Sequence, residues 1–421
     1  MKFRACLAIL LMLTTLLAGC QRENGEPEVT TRPADVEPTA TYDWMAGDSP
    51  VSVRRIGADR FEHIGRPCAV SPTGVYYLYN MAYQLGRTPP SPVIVYVDHG
   101  SDTVIRLCGR ADCTHDTTDC NSYVEGGIDI SYYRGYLYAV SFYQGNLSDP
   151  YSRKVYRMEP DGSNRVVAFD MQKFVEENGF SGVQYETIVD GYLLFNAYEW
   201  AKNDAGELVS GEQVGYMYKL DGSMGEPKRM ADSAGILCCC GDVNLTLEVE
   251  DGAPRAYHHW DPETDTLQYL TDYPDTPGGW FGREEAYYFK DGAVIRRTYA
   301  TGAEEAVIDT GLEGRYRIFC FPDCIMLVSS SLAKDQDRNL YFYNWAFEPV
   351  DTVLFDVDGF SVMWSAVLTE TADRIILAAD GDGYPVLGYY IEKSELGTGD
   401  AKLHEYDLSD FNDLRSVLDM F

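Results

Sequence analysis

The sequence predicts an all-β fold, a β-propeller of seven four-stranded blades. A strand that follows a Gly or Asp turn recurs along the chain, and each copy is followed by a second hairpin with polar turn residues. These strands are apolar nearly throughout, which is typical of sheets that are buried on both faces. Six or eight blades are alternatives because the fourth copy is weak. A pair of two-sheet sandwiches is a further alternative, but it would need no such regular period.

The recurring strand starts at the turn residue and continues through aromatic or aliphatic side chains, which favour strands. The spacing of the turn residues suits one sheet per copy, with longer loops in the early copies. The seven copies are residues 74–79, 135–140, 191–195, 242–247, 285–289, 323–328 and 373–378.

The second hairpin of each copy supplies two more strands. Asp161-Gly162 and Asp221-Gly222 are turn pairs that suit the positive φ of a tight hairpin. The first strand of this hairpin is predicted at 93–97, 154–158, 215–220, 256–260, 293–298, 339–344 and 386–392. The outer strands are predicted at 103–107, 165–169, 266–270, 305–308, 352–355 and 402–406.

Ring closure and helices are less determined by the sequence. Either residues 51–56 form the outer strand of the last blade, or residues 402–406 complete that blade. A short helix is predicted at 171–178, and another at 408–421, where spaced apolar residues follow a polar cap.

The N-terminus has the pattern of a targeting segment. Lys2 and Arg4 precede an apolar run at 5–18, which is too short to span a membrane comfortably, and the run ends in Leu17-Ala18-Gly19-Cys20. This order resembles the lipobox of bacterial lipoproteins. The alternative is an ordinary secretory signal with a chance cysteine.

The lipobox resemblance implies three segments. Residues 1–19 would be a signal peptide, and Cys20 would carry the lipid (palmitate or a similar acyl chain) and become the mature N-terminus. Residues 20–50, rich in Pro, Thr, Glu and Asp, would be a disordered tether. Residues 51–421 would be the propeller domain. We therefore expect an extracytoplasmic protein that is anchored to the bacterial cell membrane through its lipid.

Composition limits the class of partner. Apolar residues make up 45% of the 421 residues, which excludes global disorder, and the formal net charge is −32. Such a surface repels phosphate backbones, so nucleic acid is not expected as a partner. We expect a monomer.

The Asp-Gly-Ser-Asn turn at 161–164 follows a Tyr-Arg strand and resembles bacterial propellers of the TolB-like kind. The whole unit resembles the propeller domain of uncharacterised bacterial lipoproteins, described by likeness to low-density-lipoprotein-receptor-related propellers. Segment 107–121 is similar to a cysteine segment of such lipoproteins from gut Firmicutes. The resemblance covers about residues 61–407. It implies fold and location, and it supplies no catalytic residues.

Four potential ligands stand close together in the sequence: Cys108, Cys113, His115 and Cys120. Three thiols and an imidazole are the ligand set of a Cys₃His zinc site, although the spacing differs from that of a common zinc knuckle. Disulfides are the alternative in an oxidising compartment, with Cys68 as the fourth cysteine. Free thiols in an anaerobic niche are the third alternative. The expected role is structural in each case.

Other pairs and clusters are weaker candidates. Cys320 and Cys324 flank a tight turn and form a candidate disulfide, with core packing as the alternative. The two Asp-x-Asp-Gly segments at 356–359 and 380–383 resemble fragments of calcium loops, but Asp-Gly is also ordinary hairpin chemistry. We expect no cofactor other than a structural zinc or calcium ion.

The sequence contains no nucleophile elbow, phosphate loop or dinucleotide fingerprint. Trp200 and Trp280 border loops rich in Gly or Asp, and we treat them as candidate ligand-surface residues, with core packing as the alternative. The preferred hypothesis is a cell-surface binding or scaffold module that recognises a protein, peptide or glycan through its loops. The alternatives are an extracytoplasmic glycan lyase or hydrolase that uses channel-mouth carboxylates, and an envelope-assembly component of the TolB-like type.

Overall fold

The computed structural model describes residues 68–80, 92–142, 153–189, 191–202, 208–230, 236–240, 243–250, 253–272, 279–329, 337–355, 367–381 and 384–407. These residues form seven antiparallel sheets of four strands each. The sheets are the blades of a seven-bladed β-propeller, so the predicted fold class is confirmed.

Each blade uses four consecutive strands of the chain. Blade 1 contains β1 (Cys68–Val70), β2 (Gly74–Asn80), β3 (Pro92–Asp98) and β4 (Ile105–Arg106). Blade 2 contains β5 (Gly127–Tyr133), β6 (Tyr136–Phe142), β7 (Arg153–Met158) and β8 (Val166–Asp170). Blade 3 contains β9 (Gly182–Val189), β10 (Tyr192–Lys202), β11 (Leu208–Lys219) and β12 (Lys228–Arg229). Blade 4 contains β13 (Ile236–Cys240), β14 (Val243–Glu250), β15 (Ala253–Asp261) and β16 (Thr266–Asp272).

The last three blades have the same order. Blade 5 contains β17 (Trp280–Phe281), β18 (Glu285–Lys290), β19 (Ala293–Thr298) and β20 (Ala303–Asp309). Blade 6 contains β21 (Tyr316–Cys320), β22 (Ile325–Ser329), β23 (Asn339–Tyr343) and β24 (Pro349–Leu354). Blade 7 contains β25 (Val367–Glu370), β26 (Arg374–Gly381), β27 (Tyr384–Glu392) and β28 (His404–Glu405).

Turn chemistry explains where two of the strands, β6 and β19, begin. In blade 2, Arg134 and Gly135 join β5 to β6, and both have positive φ, at 48° and 85°. Two consecutive residues with positive φ make the tight hairpin turn whose twist matches that of the flanking strands. Asp291 and Gly292 repeat this geometry between β18 and β19, at 52° and 80°. The turn that the sequence predicts at Gly135 is therefore a tight hairpin turn in the structure.

The second strands are apolar on both faces because each face packs against a different neighbour. In β2, Tyr77 belongs to a core shared with blade 7, where it lies near Ile376 and Tyr390. The adjacent Tyr76 points the other way, into a core shared with blade 2 that includes Ile130. Burying both faces of a sheet explains the absence of a simple apolar–polar alternation.

Within the part of the chain that the structure describes, the ring closes where the end of blade 7 meets blade 1. Blade 7 takes its outer strand, β28, from the C-terminal part of the chain, which agrees with the second of the two predicted closures. Residues 51–56 lie outside the described residues. Backbone hydrogen bonds join the end of blade 7 to blade 1, from Val104 N–H to the Asp407 carbonyl at 3.0 Å and from Asp407 N–H to the Asp102 carbonyl at 2.7 Å.

Side chains fasten this closing seam. The Arg374 guanidinium binds Glu392 at 2.7 Å and lies over the Tyr390 ring at 4.1 Å from its centroid. It also donates to the carbonyl oxygen of Ser101 in blade 1. The Arg374 side chain is only 8% exposed, so this bridge is largely shielded from water.

A second buried cation joins blades 6 and 7. The Lys393 ammonium binds Asp323 at 2.6 Å and Glu370 at 2.8 Å, and the side chains of Lys393 and Glu370 are each 4% exposed. Burial opposes the charge of Lys393, but the two carboxylates outweigh burial and raise the pKa of the ammonium. Lys393 therefore acts as a charged clamp between two blades.

The sequence prediction missed the strand β12 and correctly gave one short helix. The outer strand of blade 3, β12, was not predicted, because Lys228–Arg229 has no apolar pattern and both residues are exposed. The helix predicted at 171–178 is present as α1 (Met171–Asn178), with Asp170 as its N-cap and Gly179 in the left-handed conformation at its C-cap. The helix predicted at 408–421 lies outside the described residues. No described helix is long and apolar enough to cross a membrane.

The closing seam can be tested with Arg374→Ala. This change removes the ion pair with Glu392 of blade 7 and the hydrogen bond to the Ser101 carbonyl of blade 1. We expect the free energy of unfolding to fall by about 2–3 kcal/mol, because Glu392 loses its partner in a shielded site. Urea denaturation followed by circular dichroism measures the change.

The matched control is Arg296→Ala, which breaks a more exposed Arg–Glu pair within blade 5 and a longer contact, 6.0 Å, to the Phe347 ring. This control should lower stability by no more than about 0.5 kcal/mol. Equal effects of the two substitutions would contradict a special role for the seam.

Candidate metal centre

The outer strand of blade 1 is interrupted in the middle of its length. Ile94 in β3 accepts a hydrogen bond from Leu107 N–H at 3.3 Å and donates one to the Ser122 carbonyl at 2.7 Å. Tyr123 then pairs with Val93 as an isolated bridge. Residues before and after the break therefore lie opposite the same residue of β3. We call the intervening segment, residues 108–120, the cysteine excursion.

The four sequence-predicted ligands meet at the base of this excursion. The sulfur atoms of Cys108, Cys113 and Cys120 and a ring nitrogen of His115 all lie within 4.8 Å of one another. The His115 Nδ1 atom is 3.3 Å from the Cys120 sulfur. Cys108 and Cys120 are buried, whereas Cys113 and His115 are half-buried. One ion could contact all four side chains.

Arg110 provides the positive charge at this cluster. Its guanidinium donates to the Cys113 sulfur at 3.2 Å and to the Asp119 carbonyl at 2.9 Å. Burial alone would raise the pKa of the Cys108 thiol. Hydrogen bonds from the backbone and guanidinium of Arg110 and from the neighbouring thiols outweigh burial, and the pKa of Cys108 falls to about 7.

Cys120 lies deeper and behaves differently. Burial raises the pKa of its thiol, although the hydroxyl of Ser122 lies 3.1 Å from its sulfur. The backbone N–H groups of Ser122 and Tyr123 also point to this sulfur. Hydrogen-bond donors that suit a thiolate therefore surround the Cys120 sulfur. A bound cation would favour the thiolate over the thiol.

Blade 2 holds the far side of the excursion through Arg165. The guanidinium of Arg165 donates to the carbonyl oxygens of Tyr123 at 2.6 Å, Asn121 at 2.9 Å and Cys120 at 3.3 Å. The Asn121 side chain in turn donates to the Asp161 carbonyl at 3.3 Å. The base of the excursion therefore also forms part of the contact between blades 1 and 2.

The structure does not bring Cys68 to this cluster. Cys68 lies in β1 and packs in the core between blades 1 and 7, with Val75, Tyr77 and Tyr406. No two cysteine sulfurs among the described side chains are at disulfide distance, and Cys108, Cys113 and Cys120 carry free thiols. Cys320 and Cys324 belong to two different core clusters. Disulfide formation therefore stays a prediction.

The two candidate ligand-surface tryptophans differ in what the structure describes. Trp280 is 8% exposed and packs in a core with Tyr287 and Tyr316. This position agrees with core packing, the alternative to a ligand-surface role. The backbone of Trp200 lies near the end of β10, and its side chain is outside the described atoms. The segments 356–359 and 382–383, which include most of the calcium-loop fragments, lie outside the described residues.

One Asp–Tyr cluster matters for the enzyme alternative. Asp337 accepts hydrogen bonds from the hydroxyls of Tyr341 at 2.6 Å and Tyr316 at 2.8 Å, and from Asn339. Burial and then the bond to Asp337 raise the pKa of both tyrosines. A tyrosine that works as a general base near neutral pH needs a lowered pKa, so this cluster has the character of a structural network.

No protein-family model and no curated protein sequence matches the chain. Among solved structures, the chain is similar to TolB from Acinetobacter baumannii, with 15% identity, coverage of 65% of this chain and 61% of that one, and a TM-score of 0.33. It is also similar to the β-propeller domain of the trilobed protease from Pyrococcus furiosus, with 12% identity, coverage of 74% and 99%, and a TM-score of 0.36. A puromycin hydrolase mutant gives 14% identity, coverage of 86% and 57%, and a TM-score of 0.44.

This chain therefore spans less than two thirds of the length of the TolB and puromycin hydrolase chains. Likeness at such identity concerns the fold alone.

The docking of the excursion can be tested with Arg165→Met, which keeps most of the side-chain length and removes the donors to three carbonyls. We expect a loss of about 1–3 kcal/mol of stability, because partly buried carbonyls lose their partner. Trypsin should also cut faster after Arg110, which lies in the excursion. Peptide mass spectrometry follows that single cleavage.

Arg157→Met is the control, because Arg157 lies on β7 of the same blade and stacks on Tyr136 at 4.8 Å. Cleavage after Arg110 should be unchanged in this variant. An unchanged rate in Arg165→Met as well would show that Arg165 does not hold the excursion.

Proposed function

We propose that this protein is a lipid-anchored, extracytoplasmic binding or scaffold module that recognises a protein, peptide or glycan. Its propeller is the rigid support, and the connections between strands supply the recognition surface. This division of labour between scaffold and loops is common in binding proteins.

The observation that carries the proposal is the length of three connections between second and third strands, in blades 1, 2 and 6; the corresponding connections of blades 4, 5 and 7 have only two residues. In an antiparallel blade, the connections between the second and third strands all emerge at the same end. Residues 81–91, 143–152 and 330–338 are such connections, between β2 and β3, β6 and β7, and β22 and β23. The turns between first and second strands, such as Arg134–Gly135, lie at the opposite end and are tight. We call the first end the long-connection face.

The polar chemistry of the described residues also supports binding over catalysis. The buried ion pairs of Arg374 and Lys393 join blades. The tyrosines around Asp337 have raised pKa values, which leaves them protonated. The four groups at the cysteine excursion would give a metal four protein ligands, and catalytic zinc sites keep a position open for water or substrate.

Charge narrows the class of ligand. The net charge of −32 disfavours nucleic acid and other polyanions and leaves neutral or basic peptides and uncharged glycans as the ligand classes that we propose. A glycan lyase or hydrolase and an envelope-assembly component are the rival functions, and the ligand screen below distinguishes the first of these from binding.

Membrane anchoring is tested with Cys20→Ser. The lipobox-like sequence Leu17-Ala18-Gly19-Cys20 leads us to expect that the unchanged protein sediments with membranes and that the variant does not. Fractionation followed by immunoblotting measures the distribution, and mass spectrometry of the mature N-terminus detects the acyl chains. Membrane retention of Cys20→Ser would overturn the lipid-anchor proposal.

Ligand recognition is tested by screening the full-length Cys20→Ser chain on glycan and peptide arrays, with a mass analysis of the incubated probes. We expect retention of one ligand class with no change in its mass. Trp200→Ala should weaken retention, because Trp200 belongs to the strand end at the long-connection face.

Tyr269→Ala is the control for this screen, because Tyr269 is 55% exposed and lies on an outer strand, β16, at the edge of blade 4. Cleavage of a probe would favour the lyase or hydrolase. Equal losses in the two variants would contradict recognition at the long-connection face.

A further inference from the structure

We propose that Cys108, Cys113, His115 and Cys120 bind one Zn²⁺ ion and that this ion closes the break in the outer strand of blade 1. This proposal does not depend on the ligand that the propeller recognises. It stands on the geometry of the four groups, on the donors around the sulfur atoms and on the position of the cluster in the strand.

The geometry fits one tetrahedral ion. Zinc bonds of about 2.3 Å to sulfur and about 2.0 Å to nitrogen place neighbouring ligand atoms roughly 3.5–3.8 Å apart in a tetrahedron. The four ligand atoms lie within 4.8 Å of one another, and the contact between His115 Nδ1 and the Cys120 sulfur is 3.3 Å. Small side-chain movements would therefore complete the coordination.

The ligand set selects the metal. Three thiolates are soft ligands that favour zinc, copper(I) or iron, whereas calcium and magnesium prefer oxygen. An imidazole as the fourth ligand makes a Cys₃His set, which is a common composition of structural zinc sites. A disulfide would use two of the three thiols and leave the third beside His115 without a role.

Groups around the sulfur atoms form an outer shell of donors. The backbone N–H of Arg110 points to the Cys108 sulfur, and the N–H groups of Ser122 and Tyr123 point to the Cys120 sulfur. Such donors orient thiolate ligands and are a regular part of metal sites. Each of these N–H groups belongs to a residue two or three positions after the cysteine, so the local backbone conformation sets the outer shell.

Arg110 balances the charge of the bound state. Zn²⁺ with three thiolates and a neutral imidazole would carry one net negative charge. The Arg110 guanidinium, bonded to the Cys113 sulfur at 3.2 Å, supplies one positive charge at that position. The guanidinium therefore lies where it would offset the negative charge of the bound state.

The backbone at His115 is consistent with ligation. His115 has a φ of 56°, in the left-handed region that residues other than glycine rarely adopt. This conformation helps to turn the chain so that Cys113, His115 and Cys120 face one point. Strained residues persist where other interactions hold them, and a metal bond would be such an interaction.

The position of the cluster assigns the ion its role. Leu107 and Ser122 both form backbone hydrogen bonds with Ile94. Cys108 and Cys120 lie close to these two residues in the sequence, at the two ends of the excursion. An ion that holds Cys108 to Cys120 would therefore join the two halves of the strand. Arg165 binds the carbonyls of Cys120, Asn121 and Tyr123, so the same ion would also stabilise the surface on which blade 2 rests.

The first test measures metal content and coordination. We expect the full-length Cys20→Ser chain, purified without chelator and with its thiols reduced, to contain one zinc per chain by elemental analysis. Replacement with Co²⁺ should give the d–d absorption of a tetrahedral site together with thiolate-to-cobalt charge-transfer bands. Less than a tenth of an equivalent of zinc, with no such cobalt spectrum on titration, would overturn the proposal. A chain in which two of these thiols are joined by a disulfide and which takes up zinc neither before nor after reduction would also overturn it.

Two variants separate ligation from folding. His115→Asn removes the ligand, and asparagine tolerates positive φ, so the backbone can remain as it is. We expect zinc affinity, measured by competition with a chromophoric chelator, to fall by more than the roughly 10–100-fold that loss of an outer-shell partner causes. Asp112→Asn, which changes an exposed residue of the same excursion, should keep the affinity of the unchanged chain.

Metal removal provides the readout of the structural role. Chelation should lower the melting temperature of the unchanged chain and speed up tryptic cleavage after Arg110, and zinc should restore both values. Chelation should have no such effect on His115→Asn. Equal zinc affinity in His115→Asn and Asp112→Asn would exclude His115 as a ligand and overturn the four-ligand site.

Discussion

The structure depends on closing a ring of seven sheets, because the junction between blades 7 and 1 joins segments that are far apart in the chain. Every other junction joins consecutive segments of one chain, but the junction between blades 7 and 1 must hold by contacts alone. Packing of Tyr77 against Ile376 and Tyr390 supplies its apolar part. Backbone bonds at Asp407 and the Arg374 bridge supply its polar part. Only a closed ring gives every blade a neighbour on both faces, so the burial of all seven sheets depends on this junction.

The same constraint explains how the chain uses its cations. It has 34 Lys and Arg residues against 66 Asp and Glu residues, so basic side chains are scarce. Several of them connect the turns of neighbouring blades: Arg134 reaches Asp221 in blade 3, and Lys393 reaches Asp323 in blade 6. The buried bridges are sensitive to loss of one partner, because a carboxylate would remain shielded from water without its counter-charge. The chain thus combines a large excess of acidic residues with basic side chains that bind carboxylates of neighbouring blades.

The sequence predicted what local chemistry determines and missed what neighbours determine. Hairpins that begin at Gly135 or Gly191 are encoded by residues that tolerate positive φ, and they were recognised. β12 (Lys228–Arg229) carries no pattern of its own and exists because β11 offers a free edge. Trp280 borders a Gly-rich loop in sequence but packs under Tyr287, which only the third dimension reveals. The spacing of Cys108, Cys113, His115 and Cys120 indicated a shared site, whereas only the structure shows that Cys68 packs in a separate core.

The broken outer strand of blade 1 also affects how the chain can vary. Leu107 and Ser122 stand opposite the same residue, Ile94, so the blade would keep its hydrogen-bonding frame if the excursion between them were shortened, lengthened or exchanged. The excursion is therefore a cassette that the sheet carries without a shift of register. A change in its length would cost little chain entropy, because the cost of a surface loop grows only slowly with its length.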